Sequence, residues 1–202
     1  MKFFSFWRSL ASFRVRIALN LKSIPVDVEF VDLDADAHRA DDYRRLNPQM
    51  ALPALVEDDG TVLVQSLAMI EYLDEKYPDP PLLPADARGR ARVRALALMV
   101  ACEGHPLLVP RVRRYLDHEL NLRDTQQAAW RRHWTLLSWR SADAGRHLHG
   151  RPCHGGAHPA DRSFALPTVK RIFETAMALP AFARAHPLAQ PDTPEAMRPK
   201  AK

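Results

Sequence analysis

Hydrophobic residues in the first part of the chain follow two different periods, which predict alternating strands and helices. Aromatic side chains crowd residues 2–7 (KFFSFW), and apolar and polar residues alternate along 26–33 (VDVEFVDL), so both segments favour strands. Between them, the segment RVRIALNLKSI places Val15, Ala18 and Leu19 on one apolar stripe of a helix. The pattern therefore predicts a strand, a helix and a second strand.

The next segments predict a hairpin followed by a helix. Residues 34–46 are polar and irregular, as in a loop with one helical turn, whereas 51–66 hold two apolar strands about a DDG turn. Ser66 then opens an amphipathic helix, LAMIEYLDEKY, which Pro78 closes. This order of elements, β-α-β-loop-β-β-α, is typical of a thioredoxin-like α/β domain, which we place at residues 1–80.

The remainder of the chain has a helical period. A proline-rich linker at 81–90 precedes a helical domain at 91–202, so the fold class is α/β plus all-α. The helical segments are ARVRALALMVACEGH, PRVRRYLDHEL, TQQAAWRRHWTLLSW and PTVKRIFETAMALPAF.

Residues 140–163 break this helical pattern. Their only large aliphatic residue is Leu148, which stands among Gly, Pro and four His, so no helix face built from them could be buried. We interpret the segment as a local deletion or reading-frame disturbance that shortens the helical domain by some twenty residues or more; the alternative is a natural surface loop. The histidines lack a rigid scaffold, so we predict no metal site.

Composition narrows the possible classes of function. The chain has 202 residues and a formal net charge of +5, which suits a cleft for anions, but its basic residues do not form a stripe with exposed aromatics as nucleic-acid binding requires. Cys102 and Cys153 give no disulfide framework. No run of 18 apolar residues occurs, and Arg8 interrupts the apolar start of the chain. We expect a cytoplasmic protein that binds neither nucleic acid nor membrane.

Three stretches together identify a family. WRSLASFRVRIALNLK from Trp7, LNPQMALPALVEDDG from Leu46 and VQSLAMIEYLDEKYP from Val64 resemble, in this order and spacing, the glutathione-binding domain of the zeta class of glutathione transferases. That class includes maleylacetoacetate and maleylpyruvate isomerases. The resemblance covers about residues 1–138 and returns at 167–192. It implies a thioredoxin-like glutathione-binding domain followed by a helical domain.

The resemblance assigns the peptide-binding part of a glutathione site. Gln65 and Ser66 match the pair that holds the γ-glutamyl end of glutathione. A carboxylate is favoured there because unpaired N–H groups and the helix dipole meet at a helix start; the alternative is that Ser66 is only an N-cap. Pro53 matches a cis-proline, and the backbone of Leu52 before it would pair with the cysteinyl part of glutathione.

The part that activates the thiol departs from the family pattern. Relatives read S-S-C-S or a variant where this chain has Ser9, Leu10, Ala11 and Ser12. Ser9 or Ser12 would support the thiolate, or the N–H groups of the first helical turn would suffice. Arg8 is the candidate for binding a substrate carboxylate, with a solvated surface charge as the alternative.

Two histidines complete the candidate site. His38 falls near a polar residue that contacts glutathione in relatives, and its alternative is an ordinary loop histidine. His105, in CEGHP, matches a His or Gln that faces both ligands in relatives, and its alternative is a capping or packing role before Pro106.

The resemblance also implies an activity. Family members use glutathione as their only cofactor to isomerise small dianionic cis-enones by reversible addition of its thiolate, and the family implies a homodimer. Two alternatives stay open for this chain. One is a glutathione transferase acting on α-halo acids or other small electrophiles, and the other is a non-catalytic glutathione-binding remnant.

Overall fold

The computed structural model of the protein describes residues 1–131, 133 and 167–198. The chain divides into two compact units: Met1–Leu82 together with Arg171–Lys202, and Leu83–Lys170. The segment 140–163, where the sequence predicts a deletion, lies outside the described residues.

A four-stranded mixed sheet forms the centre of the first unit, with strand order β2-β1-β3-β4. Strand β1 is parallel to β2 and antiparallel to β3, and β3 is antiparallel to β4. The order of elements confirms the predicted thioredoxin-like pattern: β1 (Lys2–Ser5), α1 (Leu10–Leu21), β2 (Asp27–Phe30), a short 3-10 helix (Ala37–Arg39), α2 (Asp41–Leu46), β3 (Ala54–Val56), β4 (Val62–Val64) and α3 (Ser66–Lys76).

The turn between β3 and β4 forms at the predicted DDG. Gly60 has a φ of 87°, a left-handed conformation that residues with a Cβ rarely adopt. Its N–H donates to the Glu57 carbonyl (3.0 Å), and the Glu57 N–H donates to the Thr61 carbonyl (2.9 Å). These bonds close the hairpin and fix the register of its two strands.

The core of this unit lies between the sheet and the helices α1 and α3. Its buried residues are Phe3, Val15, Leu19, Ile24, Leu55, Met69 and Leu73. Burying a side chain of this size stabilises a fold by about 1.5–3 kcal/mol. The predicted stripe of Val15, Ala18 and Leu19 on α1 is buried as expected. Strand β2 also forms as predicted, but all four of its residues are exposed because it lies at the edge of the sheet.

The C-terminal part of the chain folds back onto the first unit. Helices α7 (Pro167–Met177) and α8 (Pro180–Ala185) follow the undescribed segment. Asn20 in α1 donates to the Ala181 carbonyl (3.0 Å), and the Asp192 carboxylate accepts from the Trp7 N–H (2.7 Å). From its helical period this region was predicted to belong to the helical domain, because contacts between residues so far apart leave no local pattern in the sequence.

A buried ammonium group joins α1 to the end of α3. The Lys22 side chain is fully buried; its Nζ lies 2.8 Å from Asp74 Oδ1 and donates to the carbonyls of Tyr77 (2.6 Å) and Pro80 (2.8 Å). Asp74 Oδ1 also accepts from the Leu82 N–H (2.8 Å). The charges are therefore paired and bonded, as a buried ion pair requires.

Helices make up the second unit in the described part of the chain. They are α4 (Ala87–Leu98), a π-helix (Met99–Gly104), a 3-10 turn (His105–Leu107), α5 (Pro110–Arg114), a second π-helix (Tyr115–Glu119) and α6 (residues 124–131). Asp86 caps α4 by accepting from the Gly89 N–H at 2.7 Å, so this helix begins inside the segment 81–90 that the sequence analysis assigned to a linker.

One helical stretch of the second unit, Ala87–Glu119, is long and apolar enough to cross a membrane, and it is largely exposed. A single stretch of this kind is weak evidence of a membrane span. Glu103 and Pro106 also interrupt its apolar run. The absence of a membrane-binding segment stays a prediction from the sequence.

We expect Lys22→Met to lower the free energy of unfolding by about 3–5 kcal/mol, because it leaves the nearly buried Asp74 carboxylate without its ion pair. Urea unfolding followed by circular dichroism measures this. Lys2→Met is the matched control, since the Lys2–Glu29 pair is about half exposed on both sides and such pairs contribute about 0–1 kcal/mol. Equal losses for the two variants would contradict the role assigned to Lys22.

His186 predicts a second, pH-dependent effect on stability. Burial, followed by the positive charge of Arg16, lowers the pKa of His186 below its usual value. Its Nδ1 accepts a hydrogen bond from the Leu188 N–H (3.2 Å), which requires an unprotonated nitrogen. The unfolded chain therefore binds more protons at this residue below about pH 6.5, and the free energy of unfolding falls as the pH decreases through that value.

Urea unfolding of wild type and His186→Gln between pH 8 and about pH 5 measures this effect. The variant should lose part of the acid destabilisation, whereas His118→Gln, which changes an exposed histidine, should retain it. An unchanged pH slope in His186→Gln would show that this residue does not contribute.

Candidate functional site

The register of the sheet brings the candidate residues of the first unit to one end of it. Phe4 of β1 pairs with Ala54 of β3, and Ala54 pairs with Val64 of β4. Because β3 is antiparallel to both strands, the end of β1, the start of β3 and the end of β4 lie together. The segments beyond them carry Arg8 and Ser9, Leu52 and Pro53, and Gln65 and Ser66.

Ser9 caps the first helix at this end. It has an extended backbone, and its Oγ accepts a hydrogen bond from the Ser12 N–H (3.1 Å). The bond uses a lone pair of the hydroxyl oxygen, and the hydroxyl proton stays available to a ligand. Ser9 is half-buried, so its hydroxyl can both order the helix start and donate to an anion beside it.

The other residues of this first turn differ in exposure. Leu10 is 52% exposed, whereas Ser12 is fully buried and its Oγ has no hydrogen-bond partner among the described residues. The burial of Ser12 favours Ser9 as the direct donor to a thiol. Leu10 and Ala11 offer only their backbone N–H groups, which point out of the helix start as those of any first turn do.

Arg8 stands beside Ser9 with an ion-pair partner of its own. Its Nη2 lies 2.7 Å from Asp34 Oδ1, and both side chains are at least about half exposed. The guanidinium also lies over the rings of Phe6 and Trp7, 5.7 and 5.6 Å from their centroids. Exposed pairs of this kind contribute only about 0–1 kcal/mol, so a substrate carboxylate can replace Asp34 at small cost.

The loop before β3 is held by buried side chains. The hydroxyl of Tyr43 and the Nδ2 of Asn47 both donate to the Ala51 carbonyl, at 2.7 and 2.8 Å. Burial raises the pKa of Tyr43 to about 12, so its hydroxyl stays a donor at neutral pH. The Leu52–Pro53 peptide is cis, as the resemblance predicted.

The backbone of Leu52 is open to a ligand. Its N–H and C=O make no hydrogen bond to any residue in the described ranges. A peptide laid along this segment could therefore pair with Leu52 as an added strand does.

The start of α3 supplies a second set of free backbone donors. The N-cap is Gln65, with a φ of 71° and no capping bond from its side chain in the described structure, and Ser66 is the first helical residue. Ser66 is therefore not the N-cap that the alternative interpretation required. It is 8% exposed, and the donors of this turn favour a carboxylate.

Gln49 is a further candidate site residue, which the sequence motifs did not indicate. Its side-chain Oε1 accepts from Gln65 Nε2 at 3.1 Å, so it lies beside the start of α3. The backbone N–H of Gln49 donates to Asn47 Oδ1 (3.1 Å), which fixes the turn that carries it. In the sequence, the available signal was the polar side chain of Gln49 in a loop that lies next to apolar strands.

The two predicted histidines lie in different units. His38 belongs to the 3-10 helix after β2, and its side chain is 13% exposed with Nε2 3.9 Å from Asp36 Oδ1. His105 starts the 3-10 turn of the second unit and is half-buried. Their roles in ligand binding stay predictions from the resemblance.

The first unit thus presents, at one end of its sheet, the starts of two helices, an unpaired backbone segment and an arginine. These groups are suited to an extended anion with a peptide backbone. Within the described ranges, no group of three or more His, Cys, Asp or Glu is placed to hold a metal ion. The arrangement can hold an anionic peptide and stabilise a negative charge near Ser9.

Comparison with known proteins gives the family. Residues 8–76 match the model of the glutathione S-transferase N-terminal domain. The maleylpyruvate isomerase of Ralstonia sp is 38% identical over 212 residues, which cover 96% of this chain and 100% of that protein. The chain belongs to the zeta class of glutathione S-transferases. The maleylacetoacetate isomerase of Pseudomonas aeruginosa is likewise 38% identical, over 97% of this chain and 100% of its own length.

Solved structures of this class share the fold. The holo structure of a zeta-class maleylpyruvate isomerase superposes with a TM-score of 0.84 at 37% identity, over 96% of this chain and 100% of that one. The maleylacetoacetate isomerase of Methylobacterium extorquens AM1, solved with bound malonate and glutathione, also gives 0.84, at 42% identity and the same coverage. These matches confirm the predicted combination of a thioredoxin-like domain with a helical domain.

This chain is shorter than its relatives. The alignment with the Ralstonia protein runs over 212 positions and uses 96% of 202 residues, or about 194, so about 18 positions of that relative have no counterpart here. The deletion at 140–163 stays a prediction, because these figures do not locate the unmatched positions.

We predict that Ser66→Ala weakens glutathione binding by roughly 1–3 kcal/mol, because a charged ligand group loses a hydrogen bond. Isothermal titration calorimetry measures the change. Thr61→Ala removes an exposed hydroxyl at the hairpin turn, the opposite end of the sheet, and should leave the affinity unchanged. Wild-type affinity in Ser66→Ala would remove Ser66 from the site.

Proposed function

We propose that this chain is a glutathione-dependent cis–trans isomerase of small dianionic enones of the maleylpyruvate or maleylacetoacetate type. The observation that carries the proposal is the meeting of the α1 start, the Leu52 backbone and the α3 start at one end of the sheet. Relatives that this chain matches over their whole length are named maleylpyruvate and maleylacetoacetate isomerases.

The residues of this end of the sheet fit glutathione. The open backbone of Leu52 suits its cysteinyl part, and the uncapped first turn of α3, with Ser66, suits the carboxylate of its γ-glutamyl end. Gln65 and Gln49, which are bonded to each other, add amide groups that can donate to and accept from the same end of the peptide.

When bound, glutathione would supply a thiolate that can add to the cis double bond and leave again after rotation, which restores the thiolate. The protein's part is to keep the sulfur ionised beside the substrate. Ser9 can donate its hydroxyl proton in a hydrogen bond, and the N–H groups of Leu10 and Ala11 add the positive end of the α1 dipole.

Arg8 is suited to bind a carboxylate of the substrate. It lies next to Ser9 in sequence, and its exposed pair with Asp34 shows that the guanidinium can bind a carboxylate. From the resemblance, we assign His38 to glutathione binding and His105 to contacts with both ligands. The family resemblance also supports a homodimer, and the lack of a cysteine framework supports a cytoplasmic location.

The test is an assay of the purified protein with maleylpyruvate and substoichiometric glutathione. We expect more trans product than glutathione present, with no loss of titratable thiol. Stoichiometric loss of thiol would identify a transferase instead. Retention on immobilised glutathione without turnover would identify a non-catalytic binding protein. Either of these last results would overturn the proposal.

Arg8→Ala should raise the KM for the dianionic substrate by about tenfold or more, the loss expected for one charge-assisted hydrogen bond of about 1.5–3 kcal/mol. The affinity for glutathione should stay nearly intact, because the groups proposed to bind its peptide backbone are at Leu52 and at the start of α3. Arg39→Ala, which removes another exposed arginine paired with an aspartate, is the control. Equal losses for both ligands in Arg8→Ala would assign Arg8 to the fold or to the peptide.

A further inference from the structure

The loop between β1 and α1 is bonded to a side chain of α1 itself and to one that is far from it in sequence. The carbonyls of Phe6 and Trp7 accept from the Arg16 guanidinium at 3.2 and 3.0 Å. The N–H of Trp7 donates to Asp192 Oδ2 at 2.7 Å. Both peptide groups of Trp7 are therefore fixed by charged partners, two residues before Ser9.

Arg16 is a buried charge with many partners. The residue is 6% exposed and also donates to Ser5 Oγ and to the Ala185 carbonyl, both at 3.0 Å. Burial lowers the pKa of Arg16 to about 10, and the negative charge of Asp192 acts in the opposite direction. Its bonds connect the end of β1, the loop and the end of α8 through one rigid group.

Asp192 is held in place by its own segment. Gln190 Nε2 donates to the carbonyls of Arg184 (2.8 Å) and His186 (2.9 Å), and Thr193 Oγ1 donates to the Pro187 carbonyl (2.6 Å). Oδ1 of Asp192 is buried and has no hydrogen-bond partner among the described residues, so the Trp7 N–H is the group its carboxylate binds there. The buried Gln190 and Thr193 make this part of the chain a fixed support.

We propose that Asp192 and Arg16 are positioning residues for the thiolate: they hold the loop so that Ser9 and the first-turn N–H groups of α1 face the sulfur of bound glutathione. The Ser9 N–H donates to the Phe6 carbonyl (3.0 Å), the same oxygen that Arg16 binds. A displacement of the peptide groups of Phe6 and Trp7 therefore also displaces Ser9, the N-cap of α1. Because Leu10 and Ala11 lack side-chain donors, thiolate support depends on the position of these few groups. The inference rests on the proposed use of glutathione.

The sign of a change in thiol pKa separates positioning from a direct charge effect. Removing a carboxylate near a thiol lowers the thiol pKa, because the Coulomb repulsion between the carboxylate and the thiolate is lost. Losing the position of Ser9 and the helix start raises the thiol pKa. Asp192→Asn keeps an oxygen for the Trp7 N–H but not the charge, whereas Asp192→Ala loses both.

The experiment measures the ultraviolet absorbance of thiolate against pH for glutathione bound to the full-length chain. We expect a raised thiol pKa in Asp192→Ala, so that at a pH well below the thiol pKa the thiolate fraction falls about tenfold for each unit of the rise, and no rise in Asp192→Asn. Arg16→Lys keeps the charge but cannot make all four bonds, and its thiol pKa should also rise. If Asp192→Ala does not fold, the thiol pKa in Arg16→Lys tests whether the loop positions the thiolate.

Two controls separate positioning from loss of stability. Asp74→Asn weakens the buried pair with Lys22 and should lower stability without moving the thiol pKa. Glu195→Ala changes an exposed acid three residues after Asp192 and should change neither property. A wild-type thiol pKa in both Asp192→Ala and Arg16→Lys would overturn the inference. Failure of the wild-type chain to bind glutathione would instead overturn the proposed function, and this inference with it.

Discussion

The hydrogen-bond register of β1 is the constraint on which the candidate site depends. This strand runs parallel to β2 and antiparallel to β3, so the chain leaves or enters three neighbouring strands at the same end of the sheet. A shift of one residue would turn Phe3 out of the core and displace the α1 start from Leu52. The same burial that stabilises the sheet therefore brings together the groups that can bind an anionic peptide.

Local patterns predicted most of the first unit. The alternation and turn residues gave the hairpin at Gly60, and the apolar stripe containing Val15 and Leu19 gave α1. The buried role of Arg16 was not predicted, because an arginine within a helix is usually solvated. Nor was the contact between Trp7 and Asp192, since residues 185 positions apart leave no periodic signal. Contacts of this kind can be identified only from the folded structure.

The candidate site keeps the binding features of its family more fully than the thiol-activating ones. At the α3 start, Gln65 and Ser66 are present with free backbone donors, and the Leu52 backbone is open beside a cis-proline. At the α1 start, Ser9 matches the pattern expected from the resemblance, whereas Leu10 and Ala11 stand where that pattern has a hydroxyl and a thiol. Under the proposed function, glutathione binding would depend on the backbone geometry at Leu52 and the α3 start, whereas the rate of isomerisation would depend on how well one hydroxyl and one helix dipole stabilise the thiolate.

A titration of the isotope-labelled chain with glutathione, followed through its amide resonances, locates the glutathione site. We expect the largest chemical-shift changes at the amides of Leu10, Leu52 and Ser66, and none at Gly60 in the turn at the opposite end of the sheet. The largest changes around Gly60, or changes confined to the unit Leu83–Lys170, would show that glutathione does not bind at this end of the sheet.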